Sequence, residues 1–152
     1  MAEKTVMAAG TFDLLHLGHL HYLEEAKKLG CKLVVVVACD KTVREKKHEP
    51  LMSEETRAKL VGALKPVDGV VIGGEGDPYA TVEKIDPDVI ALGYDQWHKE
   101  ERIRKELDSR GLKAEVVRME HYNHDLDGTR KIIRKVIDWY GLKKELERVE
   151  GS

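Results

Sequence analysis

Cysteine is scarce in this 152-residue chain: Cys31 and Cys39 are the only two, and no Cys-x-x-Cys pair occurs. Two thiols set in apolar sequence cannot build a disulfide framework and offer no zinc site, so both are expected to be buried free thiols. Long hydrophobic runs are missing as well. The longest, residues 33–39, falls far short of the roughly 20 apolar residues a membrane-spanning helix needs, which excludes such a helix. Charge of one sign is also lacking, since 26 basic against 28 acidic side chains leave a formal charge of −2. A field without strong sign argues against nucleic acid as a partner. The start, Met-Ala-Glu-Lys-Thr, has no basic stretch followed by an apolar one, so no secretory leader and a cytoplasmic location are expected.

What the sequence does have is enough apolar material, 41% of residues, for one sizeable core. Its 36% charged residues suit the surface ion-pair networks of thermophiles. Short apolar runs alternate with segments of helical period. Residues 5–9 read as a strand, and residues 17–29 as a helix with Leu20, Leu23 and Ala26 on one face. Four consecutive valines within residues 33–38 read as a strand buried on both faces. A helix over residues 54–64 starts at the N-cap Ser53 and stops at Lys65-Pro66. Strand 70–72 leads into a Gly73-Gly74-Glu75-Gly76 turn, after which Asp77-Pro78 caps a short helix. Residues 89–92, 99–109, 116–117 and 129–140 continue the pattern as strand, helix, strand and helix. In the last helix Ile132, Ile133, Val136, Ile137 and Tyr140 form a stripe expected to face the sheet.

This alternation predicts an α/β fold: a single doubly wound Rossmann-like domain with a mostly parallel sheet of about five strands. The domain is expected to cover residues 1–140. Residues 141–152 then form a charged tail or short helix, in which Leu142, Leu146 and Val149 either cover a partner or complete the domain's own core. Ligands of such folds bind beyond the carboxyl ends of the strands, where the chain order reverses.

The turn after the first strand reads Gly10-Thr11-Phe12-Asp13-Leu14-Leu15-His16-Leu17-Gly18-His19. His16 and His19 are three apart at the opening of a helix, so both imidazoles can project to one spot before its N-terminus. That spot favours anions, because the first backbone N–H groups are unpaired and the helix dipole is positive there. Two added imidazole donors make it a polyphosphate site. Gly18 removes a side chain that would block a nucleotide, and Thr11 offers a hydroxyl at the strand end. Asp95 follows the fourth strand, where a loop carboxylate accepts from a ribose hydroxyl or base, or else stabilises the turn; its place at the rim favours binding.

These residues resemble the nucleotidylyltransferase superfamily with the His-x-Gly-His signature. Gly10 to His19 is similar to the opening of its cytidylyltransferase branch. The likeness continues through residues 34–40, the basic run 41–47, Arg57 and residues 92–96. Within that branch the chain most resembles the archaeal FAD synthase family, through residues 8–19, 63–68 and the Gly-x-Asp-Gln of 93–96. The resemblance implies adenylyl transfer from ATP to FMN, with His16 and His19 as catalytic residues on the migrating phosphoryl oxygens. It implies that Thr11 and Phe12 shape the phosphate loop and that Leu17 and Gly18, inside the same motif, line the nucleotide. Lys46 resembles the position that neutralises phosphates, Arg57 the helix arginine near the incoming substrate, and Tyr122 a tyrosine of the archaeal enzymes.

Before the last helix the chain departs from the cytidylyltransferase signature: it reads Asp127-Gly128-Thr129-Arg130, keeping Thr129 as a hydroxyl donor. Asp127 or Thr129 is expected to cap that helix. His121, His124, Asp125 and Asp127 lack metal-ligand spacing, so no protein metal site is expected. Mg²⁺ or another divalent cation is expected to be bound mainly through substrate phosphates, with Asp13 either assisting or bracing the loop. Resemblance to dimeric relatives implies a homodimer. The alternative activity is a cytidylyltransferase acting on a small alcohol phosphate such as glycerol 3-phosphate. A non-catalytic nucleotide sensor is a third reading, against which both retained histidines argue.

Overall fold

The computed structural model describes residues 3–94, 96, 99–121 and 128–151. Its five strands are β1 (Thr5–Gly10), β2 (Lys32–Val37), β3 (Gly69–Ile72), β4 (Val89–Leu92) and β5 (Glu115–Arg118). They pair in the order β3-β2-β1-β4-β5, all in parallel. The helices are α1 (Leu17–Lys27), α2 (Asp40–Lys46), α3 (Glu54–Gly62), α4 (Pro78–Ile85), α5 (Glu100–Ser109) and α6 (Thr129–Glu150). The doubly wound parallel sheet expected from the alternation is the one observed.

Side chains of successive strand residues point to opposite faces, and the core divides accordingly. Val6 and Ala8 of β1, with Val89 and Ala91 of β4, pack against Leu23 and Ala26 of α1 and Val61 of α3. Met7, Ile90 and Leu92 pack on the other face against Val82 of α4 and Ile103 and Leu107 of α5. A strand covered on both sides has no reason to alternate with polar residues, which is why β2 is a run of valines. Ser53 accepts from Thr56 N at 3.2 Å and Asp77 from Tyr79 N at 3.0 Å, so α3 and α4 carry the caps read from sequence. The chain order reverses between β1 and β4, whose carboxyl ends are Gly10 and Leu92. No helix among the described residues is long and apolar enough to cross a membrane.

Three expectations are corrected, and one helix is added where the sequence analysis assigned no element. Cys31 is exposed, because it lies in the connection before β2 and the buried run begins only at Leu33; Cys39 is buried. The basic run after β2 is a helix, α2, anchored by buried Val43. The N-cap of α6 is Gly128, without a side-chain bond, so Thr129 is its first residue and not its cap; Asp127 lies outside the described residues. Finally, α6 runs unbroken through Gly141 and has no buried residue. Val136, Ile137 and Tyr140 are 57%, 60% and 54% exposed, so the stripe does not face the sheet. Helical periodicity shows that a helix has an apolar side; it does not show what covers that side.

Candidate active site

At the end of β1 the chain makes a turn that only a crowded environment sustains. Phe12 has φ 53°, the left-handed region that an aromatic residue rarely adopts, and its ring is buried. A Cβ on Gly10 would lie 2.9 Å from Phe12 Cε2, so glycine there makes room for the ring. The ring in turn lies 5.2 Å, centroid to centroid, from that of His19.

His16 is the N-cap of α1, and its Nδ1 accepts from the His19 backbone N–H at 3.4 Å. A ring nitrogen that accepts carries no proton, so in this hydrogen bond any ring proton of His16 is on Nε2. The His16 and His19 rings stack with centroids 3.7 Å apart and an interplanar angle of 23°. The structure thus brings the two imidazoles together at the opening of the first helix after the switch point. Burial, then the neighbouring His16 and then Lys47, push the His19 pKa down to about 3. Its Nδ1 is buried without a hydrogen-bond partner among the described residues. Near neutral pH His19 is therefore an uncharged imidazole.

Thr11 is held at two points. Lys47 Nζ donates to its hydroxyl at 3.2 Å, and Arg57 Nη1 donates to its carbonyl at 2.8 Å. Lys46 is exposed at the last position of α2, and it is its neighbour Lys47 that reaches Thr11 in the loop after β1. Arg57 is completely buried: it also donates to Ala38 O at 2.8 Å and Met52 O at 3.0 Å and pairs with Asp40 at 2.7 Å. The Arg57 hydrogen bond holds the Asp40 carboxyl below the usual carboxylate range. Asp13 accepts from the N–H groups of Leu51 and Met52 at 2.8 and 2.9 Å, a brace for the loop.

Leu17 is exposed and Gly18 half-buried in the first turn of α1. Beside His16 an apolar groove of about 310 Å³ opens, lined by Leu15, Leu17, Leu20 and Leu64. Across the switch point, Gln96 Nε2 donates to Ala9 O at 2.9 Å while its Oε1 accepts from Gly93 N at 3.0 Å. Arg118 donates to the carbonyls of Gly93 and Gln96 at 2.9 and 2.8 Å and pairs with Glu100. Asp95 and Tyr122 lie outside the described residues. Thr129 opens α6 as its first residue.

Sequence reasoning missed Lys47, Asp40 and Arg118. Lys47 stands one residue from the position chosen, a distinction that depends on where α2 ends. Asp40 acts through its ion pair with Arg57 and Arg118 through backbone carbonyls, and neither has a motif of its own.

Residues 7–148 match the model of the cytidylyltransferase-like family. A curated FAD synthase from Aciduliprofundum boonei is 54% identical over 134 residues, covering 88% of this chain and 90% of the relative. One from Ferroglobus placidus is 53% identical over 135 residues, covering 88% of each. A solved structure from Thermoplasma volcanium, described as a lipopolysaccharide core biosynthesis protein, superposes with TM-score 0.79 at 45% identity, over 80% of this chain and 100% of that one. A pantoate–β-alanine ligase from Francisella tularensis, with TM-score 0.60 and 11% identity over 80% of this chain and 60% of its own, shares the fold alone. With its signature histidines stacked at the opening of α1 and the match running nearly end to end, the chain belongs to the cytidylyltransferase-like family, among relatives that carry the name FAD synthase.

Proposed function

We propose that this nucleotidyltransferase is an FMN adenylyltransferase, which makes FAD and pyrophosphate from ATP and FMN. An oxygen of the FMN phosphate attacks the α-phosphorus of ATP in line. The bond from that phosphorus to the α–β bridging oxygen breaks, and pyrophosphate leaves with the electron pair. The chain forms no covalent intermediate; it aligns two anions and stabilises charge on the oxygens in transit.

The observation that carries this reading is the stacked His16–His19 pair in a chain 54% identical over 134 residues to a curated FAD synthase. His16 and His19 donate to oxygens of the migrating phosphoryl group, and the first N–H groups of α1 add their dipoles. Lys47 supplies positive charge beside Thr11, a place for the leaving phosphates. Lys46, Leu17, Gly18, Asp95, Tyr122 and Thr129 remain part of the proposed nucleotide-binding set on the strength of the resemblance. Imidazole, ammonium and backbone N–H are donors for anions, which fits a divalent cation arriving on the triphosphate and held chiefly by its oxygens; such an ion neutralises phosphate charge.

The apolar groove beside His16 suits an acceptor with an extended ring more than a small alcohol phosphate, which supports FMN. The exposed stripe of α6 supports a homodimer, and an exposed free thiol at Cys31 accords with the reducing cytoplasm. The deciding experiment offers ATP or CTP with FMN or glycerol 3-phosphate and Mg²⁺, and follows products by chromatography. FAD from ATP and FMN is expected; turnover only with CTP overturns the assignment, and nucleotide binding with no turnover of any acceptor favours a sensor.

A further inference from the structure

Arg57 sits at the centre of the site's foundations, yet it has no surface from which to touch a ligand. Its side chain is 0% exposed. Four of its N–H directions are committed: Nε to Met52 O, Nη1 to Thr11 O and Ala38 O, and Nη2 to Asp40. The carbonyls of Thr11 and Ala38 belong to the two loops that leave β1 and β2 at the carboxyl edge of the sheet, and Ala38 N donates to Gly10 O at 3.0 Å. Free carbonyl oxygens at that edge would repel an arriving triphosphate. Drawn down onto a buried guanidinium, they turn their negative ends away from it.

The residue between the clamped positions is Phe12, whose left-handed backbone persists only where its surroundings over-determine it. Thr11, on one side, is tied by its carbonyl to Arg57. Asp13, on the other, is tied by its carboxylate to the N–H groups of Leu51 and Met52. Met52 is shared, its N–H bonded to Asp13 and its C=O to Arg57. Both ends of the strained residue are thereby fastened to one short segment, and the Phe12 ring is seated against Gly10 and His19.

We propose that Arg57, with Asp13 opposite, is a positioning residue for the transfer reaction: it holds Thr11 and Phe12 so that Phe12 packs His19 in place, and it never contacts substrate. This rests on the adenylyl-transfer reading only for the identity of the reaction. Lysine at 57 keeps the charge but loses the planar fork that gathers several acceptors at once.

The test compares wild type with Arg57→Lys and Asp13→Asn by steady-state kinetics, circular dichroism and NMR of the His19 ring. Arg57→Lys is expected to keep the helical spectrum, to lower kcat tenfold or more and to leave KM for ATP and for FMN within about threefold. It is also expected to raise the His19 titration midpoint from its low value as the ring gains water, with His16 and Lys47 still facing it. A tenfold rise in one KM at unchanged kcat would mean direct contact and overturn the proposal, as would unchanged kcat with an unmoved His19 titration. Should Arg57→Lys fail to fold, Asp13→Asn loosens the same loop from the other side and is read by the same criteria. The His19 titration is recorded without substrate, so a chain that makes no FAD overturns the functional reading and leaves this test standing.

Discussion

His19 is held neutral by causes that all act in one direction, burial first and then two neighbours that carry or can carry positive charge. The sign of its effect on stability follows. Above about pH 6.5 the ring is neutral both folded and unfolded and contributes no pH dependence. Below that the unfolded chain takes up a proton that the folded one refuses until about pH 3, so stability falls with pH across that window, by up to about 1.4 kcal/mol per unit. Urea unfolding at pH 7 and pH 5 should show a smaller loss for His19→Gln than for wild type. At the catalytic step, His16→Ala or His19→Ala should lower kcat by about 10² or more, as loss of an oriented donor does; turnover within twofold of wild type would remove that residue from the mechanism. Lys47→Ala should raise KM for ATP more than Lys46→Ala, because only Lys47 touches Thr11. Histidine spacing made the imidazole pair legible in the sequence. The choice between two adjacent lysines was not, since it turns on the phase in which α2 ends.

At the scale of elements, the strand-to-helix turn between β1 and α1 stores its strain against specific neighbours. Gly10→Ala places a methyl group 2.9 Å from the Phe12 ring, which is buried and has nowhere to retreat. Such overpacking typically costs about 1–3 kcal/mol, and the displaced ring lies next to His19. Gly10→Ala should therefore lose both denaturant stability and kcat; a variant as stable and as active as wild type would show that the turn accommodates the methyl. The valines of β2 and the caps of α3 and α4 were legible because they follow from local period and local hydrogen bonding. The left-handed Phe12 was not, because nothing in Gly-Thr-Phe-Asp departs from an ordinary turn: its two neighbours are held by a distant segment, Thr11 by Arg57 and Asp13 by the N–H groups of Leu51 and Met52.

For the whole molecule, α6 presents an exposed apolar side. Trp139, Leu142 and Val149 are 63%, 61% and 63% exposed, and exposed apolar side chains grouped on one helix mark surfaces of association. If a second copy covers it, Val136→Asp with Ile137→Asp should convert a dimer to a monomer by light scattering; a monomeric wild type would end that reading. Elsewhere the surface carries networked charge, as at Arg110, which pairs with Asp77, Glu83 and Glu106 across α4 and α5.

By itself the sequence determined the layered α/β architecture, the caps and the pair of imidazoles, since each is set by residues within a turn or two of one another. Only the tertiary structure decided that Arg57 is buried beneath the loop after β1, that Lys47 rather than Lys46 reaches Thr11 in that loop, and that Cys31 faces solvent. Those outcomes depend on contacts between residues up to 46 positions apart, such as Arg57 to Thr11. Burial and the direction of a charged side chain are properties of what packs around it, and no local pattern encodes them.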